Sequence, residues 1–332
     1  MEQHKNKYDP KGEHRIGILI LNCNGKRWLI PLFDALLSNG YQNIQIYLVD
    51  NASDDGSVEL TVEQYPEVAV IRMGENLGYS TAYNLTMPHA FDGGCEWVIL
   101  ANNDVRIEPD CLSELAQIAQ SDSNIGVLGP AFLAWESDDP NYYMVGNHPY
   151  AIQAMKSKSF DPVDVEWVEG SFLMVSRRCF EAVGPLDPYL NFYWEEADFC
   201  RRARRRGWRV VLVSRAVARH YAGGSINQQN STAIGRLKLR NYYIYKMTDP
   251  FQSFGKNLRD ATYLLLVNLK AARSARPSSL IHEIRVFGKV IREIRHIYKK
   301  WARDRAGTHP SISDAQGSLK DVKVICDQKE SL

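Results

Sequence analysis

The sequence predicts an α/β fold: a mostly parallel central sheet with flanking helices, followed by a helical C-terminal extension. Three observations carry that expectation. Ile16–Asn22 (IGILILN) is a continuous apolar run, the pattern of a strand buried on both faces, and Ile44–Asp50 (IQIYLVD) is a second β-rich run. Helix-length stretches separate these runs, as parallel βαβ units require. The runs also end in polar clusters, where open α/β sheets bind ligands.

Taken in order, residues 1–13 are polar and expected to fray. The first strand leads to a helix over 28–38 that ends near Gly40. The second strand is followed by a third at 68–72, and a helix over 76–87 is expected to stop at Pro88. A fourth strand covers 97–101, and a helix over 109–121 has Glu108 and Asp110 near its start. Strand-like runs at 171–176 and 210–213 flank a helix over 195–206, with Gly207 placed to stop it. This region, 14–231, reads as one domain. Residues 232–304 are helical in pattern, with Tyr242, Tyr243 and Tyr245 clustered and Pro250 as a break. Over 279–301, Ile284, Phe287, Ile291, Ile294, Tyr298 and Trp301 form one apolar stripe opposite a face of Arg and Lys. Residues 305–332 are polar and aperiodic, and are expected to be disordered.

Composition narrows the function classes. The chain of 332 residues is 24% charged, 45% hydrophobic and carries a formal net charge of +1. That balance argues against nucleic acid as a partner. No apolar run approaches the roughly 20 residues of a membrane-spanning helix, and the polar N-terminus lacks the apolar core of a secretory signal. Six scattered cysteines form no CxxC pair, so a zinc ribbon or redox dithiol is not expected. A reduced, cytoplasmic protein follows, and three Asn-x-Ser/Thr matches are read as chance.

The chemistry-bearing residues lie at strand ends. The first strand ends in Asn22-Cys23-Asn24-Gly25, the second in Asp50-Asn51-Ala52-Ser53-Asp54-Asp55-Gly56-Ser57, and the fourth in Asn102-Asn103-Asp104. The Asp-rich segment also reads as a turn with a helix N-cap. Neither GxGxxG after the first strand nor GxxxxGK[ST] occurs. A nucleotide would therefore bind without a glycine-rich phosphate turn, its phosphates neutralised by a carboxylate-held divalent cation. Asp104 suits an oxygen-ligated Mg²⁺ or Mn²⁺, or caps a turn.

Trp194-Glu195-Glu196-Ala197-Asp198 opens a helix with three carboxylates, which the helix dipole favours. Asp198 can pair with Arg202 one turn on, while Glu195 and Glu196 point in different directions, leaving one free as a general base. Trp194 offers a flat face for a sugar or packs in the core. His220 precedes Gly223-Gly224 and is either structural or a metal ligand.

In order and spacing, ILILNCNG, YLVDNASDDGS, ENLGYSTAYN, VILANNDVRIEPDCL, VEGSFLMVSRRCFEAVGPLD, FYWEEADFCRRARRRGWRVVLV and His220 resemble the inverting family-2 glycosyltransferases of the GT-A fold. The likeness is greatest to rhamnosyltransferase-like and galactofuranosyltransferase-like members and covers about 16–225. The resemblance implies that Asp50 contacts the nucleotide, with Asn22, Asn24, Asn51 and Asn76 beside it. It places Asn102-Asn103-Asp104 at the DxD motif, so that Asp104 carries most of the metal contact and His220 completes the site. It places Glu195, Glu196 and Asp198 at the ED-type motif, with Glu196 as the base in a position often held by Asp, and Glu195 as its competitor. Trp194 would meet the acceptor.

The implied reaction moves a sugar from a nucleotide-diphosphate donor, dTDP-rhamnose as first choice, to a glycan or lipid-linked acceptor in surface polysaccharide synthesis. One base and direct displacement imply inversion. A sugar nucleotidyltransferase or a non-catalytic sugar-binding protein is the competing class. The stripe on 279–301 would be covered by the catalytic domain, by a second subunit in a homodimer, or by an anionic membrane surface on which the protein sits peripherally.

Overall fold

The computed structural model describes residues 14–139, 162–221, 231–275, 277–308 and 323–325. Its centre is a ten-stranded sheet. In chain order the strands are β1 (Ile16–Asn22), β2 (Ile44–Asp50), β3 (Ala69–Arg72), β4 (Trp97–Asn102), β5 (Val105–Ile107), β6 (Ile125–Leu133), β7 (Val163–Asp164), β8 (Phe172–Ser176), β9 (Arg209–His220) and β10 (Lys323–Ile325). They lie in the order β10-β3-β2-β1-β4-β8-β6-β9-β5, with β7 also on β9. β1, β2, β3, β4, β6 and β9 share one direction, because β8 is antiparallel to both β4 and β6.

Helices cover both faces. α1 (Lys26–Leu37), α2 (Ser57–Gln64) and α4 (Cys111–Ser121) pack on the face that carries Ile16, Ile18 and Ile20. α3 (Gly78–Asp92), α5 (Arg177–Val183) and α6 (Glu195–Arg205) pack on the face that carries Leu19 and Val49. The alternation along β1 follows from successive side chains pointing to opposite faces. α7 (Ser231–Met247), α8 (Phe254–Ala275), α9 (Pro277–Arg292) and α10 (Ile294–Ala306) enclose a third core of Tyr243, Ile244, Met247, Val286, Val290 and Ile297.

Several sequence expectations change. α3 does not stop at Pro88 but runs through it to Asp92. The missing proline bond costs about 3 kcal/mol, offset here by burial of Met87, Ala90 and Phe91. β6 carries no strand signal because Gly126, Gly129 and Pro130 interrupt it. Its glycines are steric necessities, since a Cβ on Gly129 would lie 2.5 Å from Val168. β9 extends seven residues past the expected 210–213, so His220 ends a strand rather than following one.

The helix expected over 279–301 is two helices that break at Glu293. Its expected stripe is only in part the buried face: Phe287 and Ile294 pack against the third core and Trp301 is half-buried. Ile284, Ile291 and Tyr298 are exposed, while Val286, Val290, Ile297, Lys300 and Asp304 are buried. Residues 323–325, inside the stretch expected to be disordered, pair antiparallel with β3. Among the described residues, no helix is long and apolar enough to cross a membrane.

The buried Lys300 explains the shifted face. Its Nζ donates to Asp198 (2.9 Å), Asp187 (2.9 Å) and Asp304 (2.8 Å). Asp198 also accepts from Arg201 (3.1 Å) and Arg202 (2.9 Å). Burial alone would raise the Asp198 carboxyl, but Lys300, Arg202 and Arg201 hold it well below the usual carboxylate range. Burial alone would pull the Lys300 ammonium down, and the three aspartates outweigh it.

Replacing Lys300 by Met leaves buried carboxylates short of a countercharge, at an expected cost of about 3–5 kcal/mol. Urea unfolding monitored by circular dichroism reads that loss; a change below about 1 kcal/mol would show the network to be dispensable. Because Asp198 titrates below its unfolded value, its share of stability is present above about pH 4 and drains away as the pH falls.

Candidate active site

The site is assembled at the carboxyl edge of the parallel strands. Register sets Asn22 opposite Asp50 and Leu21 opposite Asn102, so three polar strand ends lie level. Amide side chains lace them together. Asn103 donates to Asn22 Oδ1 (2.7 Å), and Asn22 donates to Ser53 Oγ (3.0 Å). Asn51 donates to Asn76 Oδ1 (2.9 Å) and to the Gly78 carbonyl (3.2 Å), and accepts from Leu77 N (2.9 Å). This ties β2 to the start of α3. Gly25 has to be glycine, since a Cβ there would lie 1.9 Å from the Asn103 amide.

The far wall comes from β9. Val105 pairs with His220 and Tyr221 N donates to the Asp104 carbonyl, so Asp104 and His220 are fixed by one stretch of ladder. His220 Nε2 lies 3.1 Å from Asp104 Oδ1, and its Nδ1 lies 3.7 Å from Glu169 Oε1. Burial would lower the imidazole, but the bond to Asp104 and the charges of Glu169 and Asp104 leave it raised. Among the described residues, no set of three His, Cys, Asp or Glu side chains is disposed to hold a metal by itself. A carboxylate oxygen and an imidazole nitrogen facing each other do fit a divalent cation that draws its remaining ligands from a substrate diphosphate.

The third wall is the N-terminus of α6. Tyr193 and Trp194 both take positive φ (70° and 73°), a left-handed turn that non-glycine residues adopt only when held there. Asn241 on α7 holds it, donating to the carbonyls of Phe192 (2.9 Å) and Tyr193 (3.2 Å). Trp194 then stacks on Tyr245, centroids 5.2 Å apart at 27°, and tilts against Tyr242 at 4.8 Å. Glu195 and Glu196 follow at the mouth of the helix. Burial, then the charge of Glu196, pushes Glu195 well above the usual carboxylate range, and its Oε2 is buried without a partner. Burial, then the charge of Glu169, pushes Glu196 up to about 8.

These walls enclose a cleft of about 1560 Å³. Of the residues singled out in the sequence, Asn51, Asn76, Asn102, Asn103, Asp104, Trp194, Glu195, Glu196 and His220 line it. Asn22, Asn24, Asp50 and Asp198 do not. Asp50 is fully buried, accepting from Ser53 N (3.2 Å) and from Asn22 (3.5 Å), so its carboxylate shapes the turn that follows β2. Asn22 is equally buried among those partners, and Asn24 spends its Oδ1 on Asp54 N (2.8 Å). Asp198 points away from Glu195 and Glu196 into the ion network. Gly223-Gly224 lies outside the described residues. Sequence reasoning missed Glu169, Asn241 and Tyr79, whose hydroxyl donates to the Gly170 carbonyl (2.5 Å). Glu169-Gly170 just before a strand was the one available signal.

Comparison with known proteins agrees with this geometry. Residues 17–182, half of the chain, match the family described as Glycosyl transferase family 2. An N-acetylglucosaminyl-diphospho-decaprenol L-rhamnosyltransferase of Mycobacterium tuberculosis is 31% identical over 210 residues, covering 55% of this chain and 68% of that protein. The dTDP-rhamnosyl transferase RfbF of Shigella flexneri is 24% identical over 175 residues, covering 52% of this chain and 58% of that protein. The mannosyltransferase PcManGT of Pyrobaculum calidifontis, solved with GDP-Man and Mn²⁺, superposes with a TM-score of 0.56 at 16% identity, covering 92% of this chain and 87% of that one. That structure shares the fold, an α/β sheet of the GT-A type. By its match across half of its length and by the order of its motifs, the chain belongs to glycosyltransferase family 2.

Proposed function

We propose that the chain is an inverting glycosyltransferase that moves a sugar from a nucleotide diphosphate, dTDP-rhamnose first, to a hydroxyl of a glycan or lipid-linked acceptor in surface polysaccharide synthesis. One observation carries the reading: a carboxylate with a raised pKa, Glu196, shares one cleft with the facing pair Asp104 and His220. The first supplies a base and the second a place for the leaving diphosphate. The printed activities of the Mycobacterium and Shigella relatives support rhamnose as the sugar.

Glu196 is the better base of the two glutamates. It is partly open to the cleft, and its carboxyl titrates within reach of neutral pH. Glu195 is more deeply buried, and burial and then the charge of Glu196 raise its carboxyl well above the usual range, which makes it the poorer candidate to meet the acceptor. Asp104 and His220 would hold Mn²⁺ or Mg²⁺, and the imidazole favours Mn²⁺. When bound, the cation supplies positive charge to the departing diphosphate. Asn51, Asn76, Asn102 and Asn103 offer neutral amides to the nucleotide and sugar, and Trp194 offers its ring face to the acceptor.

In the reaction as proposed, Glu196 removes the proton of the acceptor hydroxyl as its oxygen bonds to the anomeric carbon and the bond to the diphosphate breaks. Attack on the face opposite the leaving group inverts that carbon.

Glu196→Gln should lower turnover by about 10²-fold or more while donor binding survives. Since the base must be unprotonated, kcat/KM should rise as the pH climbs through about 8, and the Gln variant should lose that limb. Near-normal turnover in Glu196→Gln with a collapse in Glu195→Gln would transfer the role to Glu195. Calorimetry with dTDP, UDP and GDP, each with Mn²⁺ or chelator, ranks the nucleotides. Asp104→Ala should weaken diphosphate binding at least tenfold in Mn²⁺, with His220→Ala milder; donor affinity of the parent protein that is unchanged by chelator would remove the cation from the site.

A further inference from the structure

Asn191 does not line the cleft, yet it joins two of the walls that do. On the strand-end side, α3 begins without a cap of its own. Its N-cap residue is Leu77, whose side chain offers nothing to the free N–H groups of the first turn. Those groups are met from two other places. Leu77 N donates to Asn51 Oδ1 (2.9 Å) and Gly78 N to Asn76 Oδ1 (3.0 Å). The next three go to Asn191. Tyr79 N and Ser80 N donate to its carbonyl (3.2 and 3.4 Å), and Thr81 N to its Oδ1 (3.1 Å). Its Nδ2 donates back to the Leu77 carbonyl (2.8 Å). One side-chain amide thus bridges the Leu77 C=O and the Thr81 N–H, the pair four residues apart that closes the first turn of an α-helix. Gly78 leaves room for it, since a Cβ there would lie 2.3 Å from the Asn191 amide.

Asn191 also heads the segment that delivers the base, for Glu196 is the fifth residue after it. Behind Asn191, Asp187 is anchored by Lys300 (2.9 Å) and Arg303 (2.7 Å). Ahead of it, Asn241 holds the carbonyls of Phe192 and Tyr193, and Arg240 fixes the Asn241 amide by donating to its Oδ1 (2.8 Å). A second contact runs alongside. The Tyr79 hydroxyl bonds to the Gly170 carbonyl, and a Cβ on Gly170 would lie 3.0 Å from that hydroxyl and 3.3 Å from Cβ and Cγ of Glu196. Tyr79 and Glu196 therefore press on the same glycine. A serine or aspartate at 77 would satisfy the start of α3 locally. Drawing the cap from the base segment instead makes the helix start and the catalytic spacing one structure.

We propose that Asn191 is a positioning residue for glycosyl transfer: by capping α3 from the segment that leads to Glu196, it fixes the base at one distance from the strand-end amides Asn51 and Asn76. This rests on the reading of Glu196 as the base. The consequence is coupling. A nucleotide diphosphate that orders Asn51 and Asn76 also steadies the turn ahead of Glu196, and loosening Asn191 costs alignment rather than affinity. A displacement of about 1 Å at a reacting group can cost on the order of 10²-fold in rate.

The test compares the whole parent protein with Asn191→Ala, which loses both side-chain bonds, and Asn191→Asp, which keeps the acceptor for Thr81 and loses the donor to Leu77. Calorimetry with dTDP and Mn²⁺ should give dissociation constants within twofold of one another. Amide hydrogen exchange is then followed with and without dTDP. In the parent protein dTDP should slow exchange at 76–82 and at 192–197. In Asn191→Ala the slowing at 76–82 should remain and that at 192–197 should be lost, with Asn191→Asp between. Turnover of dTDP-rhamnose, with undecyl N-acetylglucosaminyl diphosphate as the acceptor probe, should fall at least tenfold in Asn191→Ala at unchanged donor KM. The rise of kcat/KM through about pH 8 should persist there, because the base is still present. A cap of purely structural worth would lower the melting temperature and leave the dTDP response at 192–197 in place. That outcome, or donor affinity lost in step with turnover, overturns the positioning role. If Asn191→Ala does not fold, Asn191→Asp decides alone: a weakened response at 192–197 supports the role and an unchanged one overturns it. Glu196→Gln is assayed beside them. Near-normal turnover in that variant counts against the base reading, whereas its collapse with an unaltered Asn191→Ala counts against Asn191 alone.

Discussion

The contact that the rest of this molecule leans on is the one around Asp198. Its carboxylate is fully buried and accepts from Arg201, Arg202 and Lys300. Each donor reaches onward. Arg201 donates to the Tyr245 carbonyl on α7 and to Thr248 just past it, and Arg202 to the carbonyls of Val183, which ends α5, and of Pro185. Lys300 brings α10. One side chain thus fixes α6 against three other segments. Glu196 and Glu195, two and three residues before it, inherit that position. Buried ion networks contribute little net stability relative to an apolar core but impose one arrangement when every member is satisfied.

Charge is distributed unevenly around the cleft. The strand ends offer amides, from Asn51, Asn76, Asn102 and Asn103: Asn51 donates to Asn76, Asn103 to Asn22, and Asn102 lies against His220. Three further carboxylates line the cleft: burial raises Glu169, Glu195 and Glu196, the charges of Glu196 and Glu169 push Glu195 further, and the charge of Glu169 pushes Glu196 further.

The sequence was most readable where burial is two-sided. β1 appears at its observed limits because no polar position breaks its apolar run before Asn22, and β2 because only Gln45, in its half-buried first two residues, interrupts an otherwise apolar run up to Asp50. β6 was hidden by glycines that close packing against Val168 and Cys179 demands, and the second half of β9 by Arg215 and Arg219, whose charges are met by Glu114 and Glu108. Within the site, Asp104, His220 and Glu196 were legible because polar residues at strand ends and helix starts are few. Asp50 and Asp198 belong to the same patterns, and their sequence neighbours do not reveal that a backbone N–H or a lysine a hundred residues later consumes them. Lys300 was the hardest residue to place: a lysine on an amphipathic helix reads as a solvated face until its three aspartates are known.

His220 and Asp104 are 116 residues apart in sequence. Closing a loop of that length costs about 4 kcal/mol of chain entropy, returned only once the long parallel ladder between β6 and β9 has formed. Asp104 leaves the ribosome just after β4, while its partner waits on the last strand of the cleft. The pair therefore reports on completed folding: a chain arrested after β4 carries the amides of the strand ends without the imidazole and the helix-borne carboxylates that share the cleft with them.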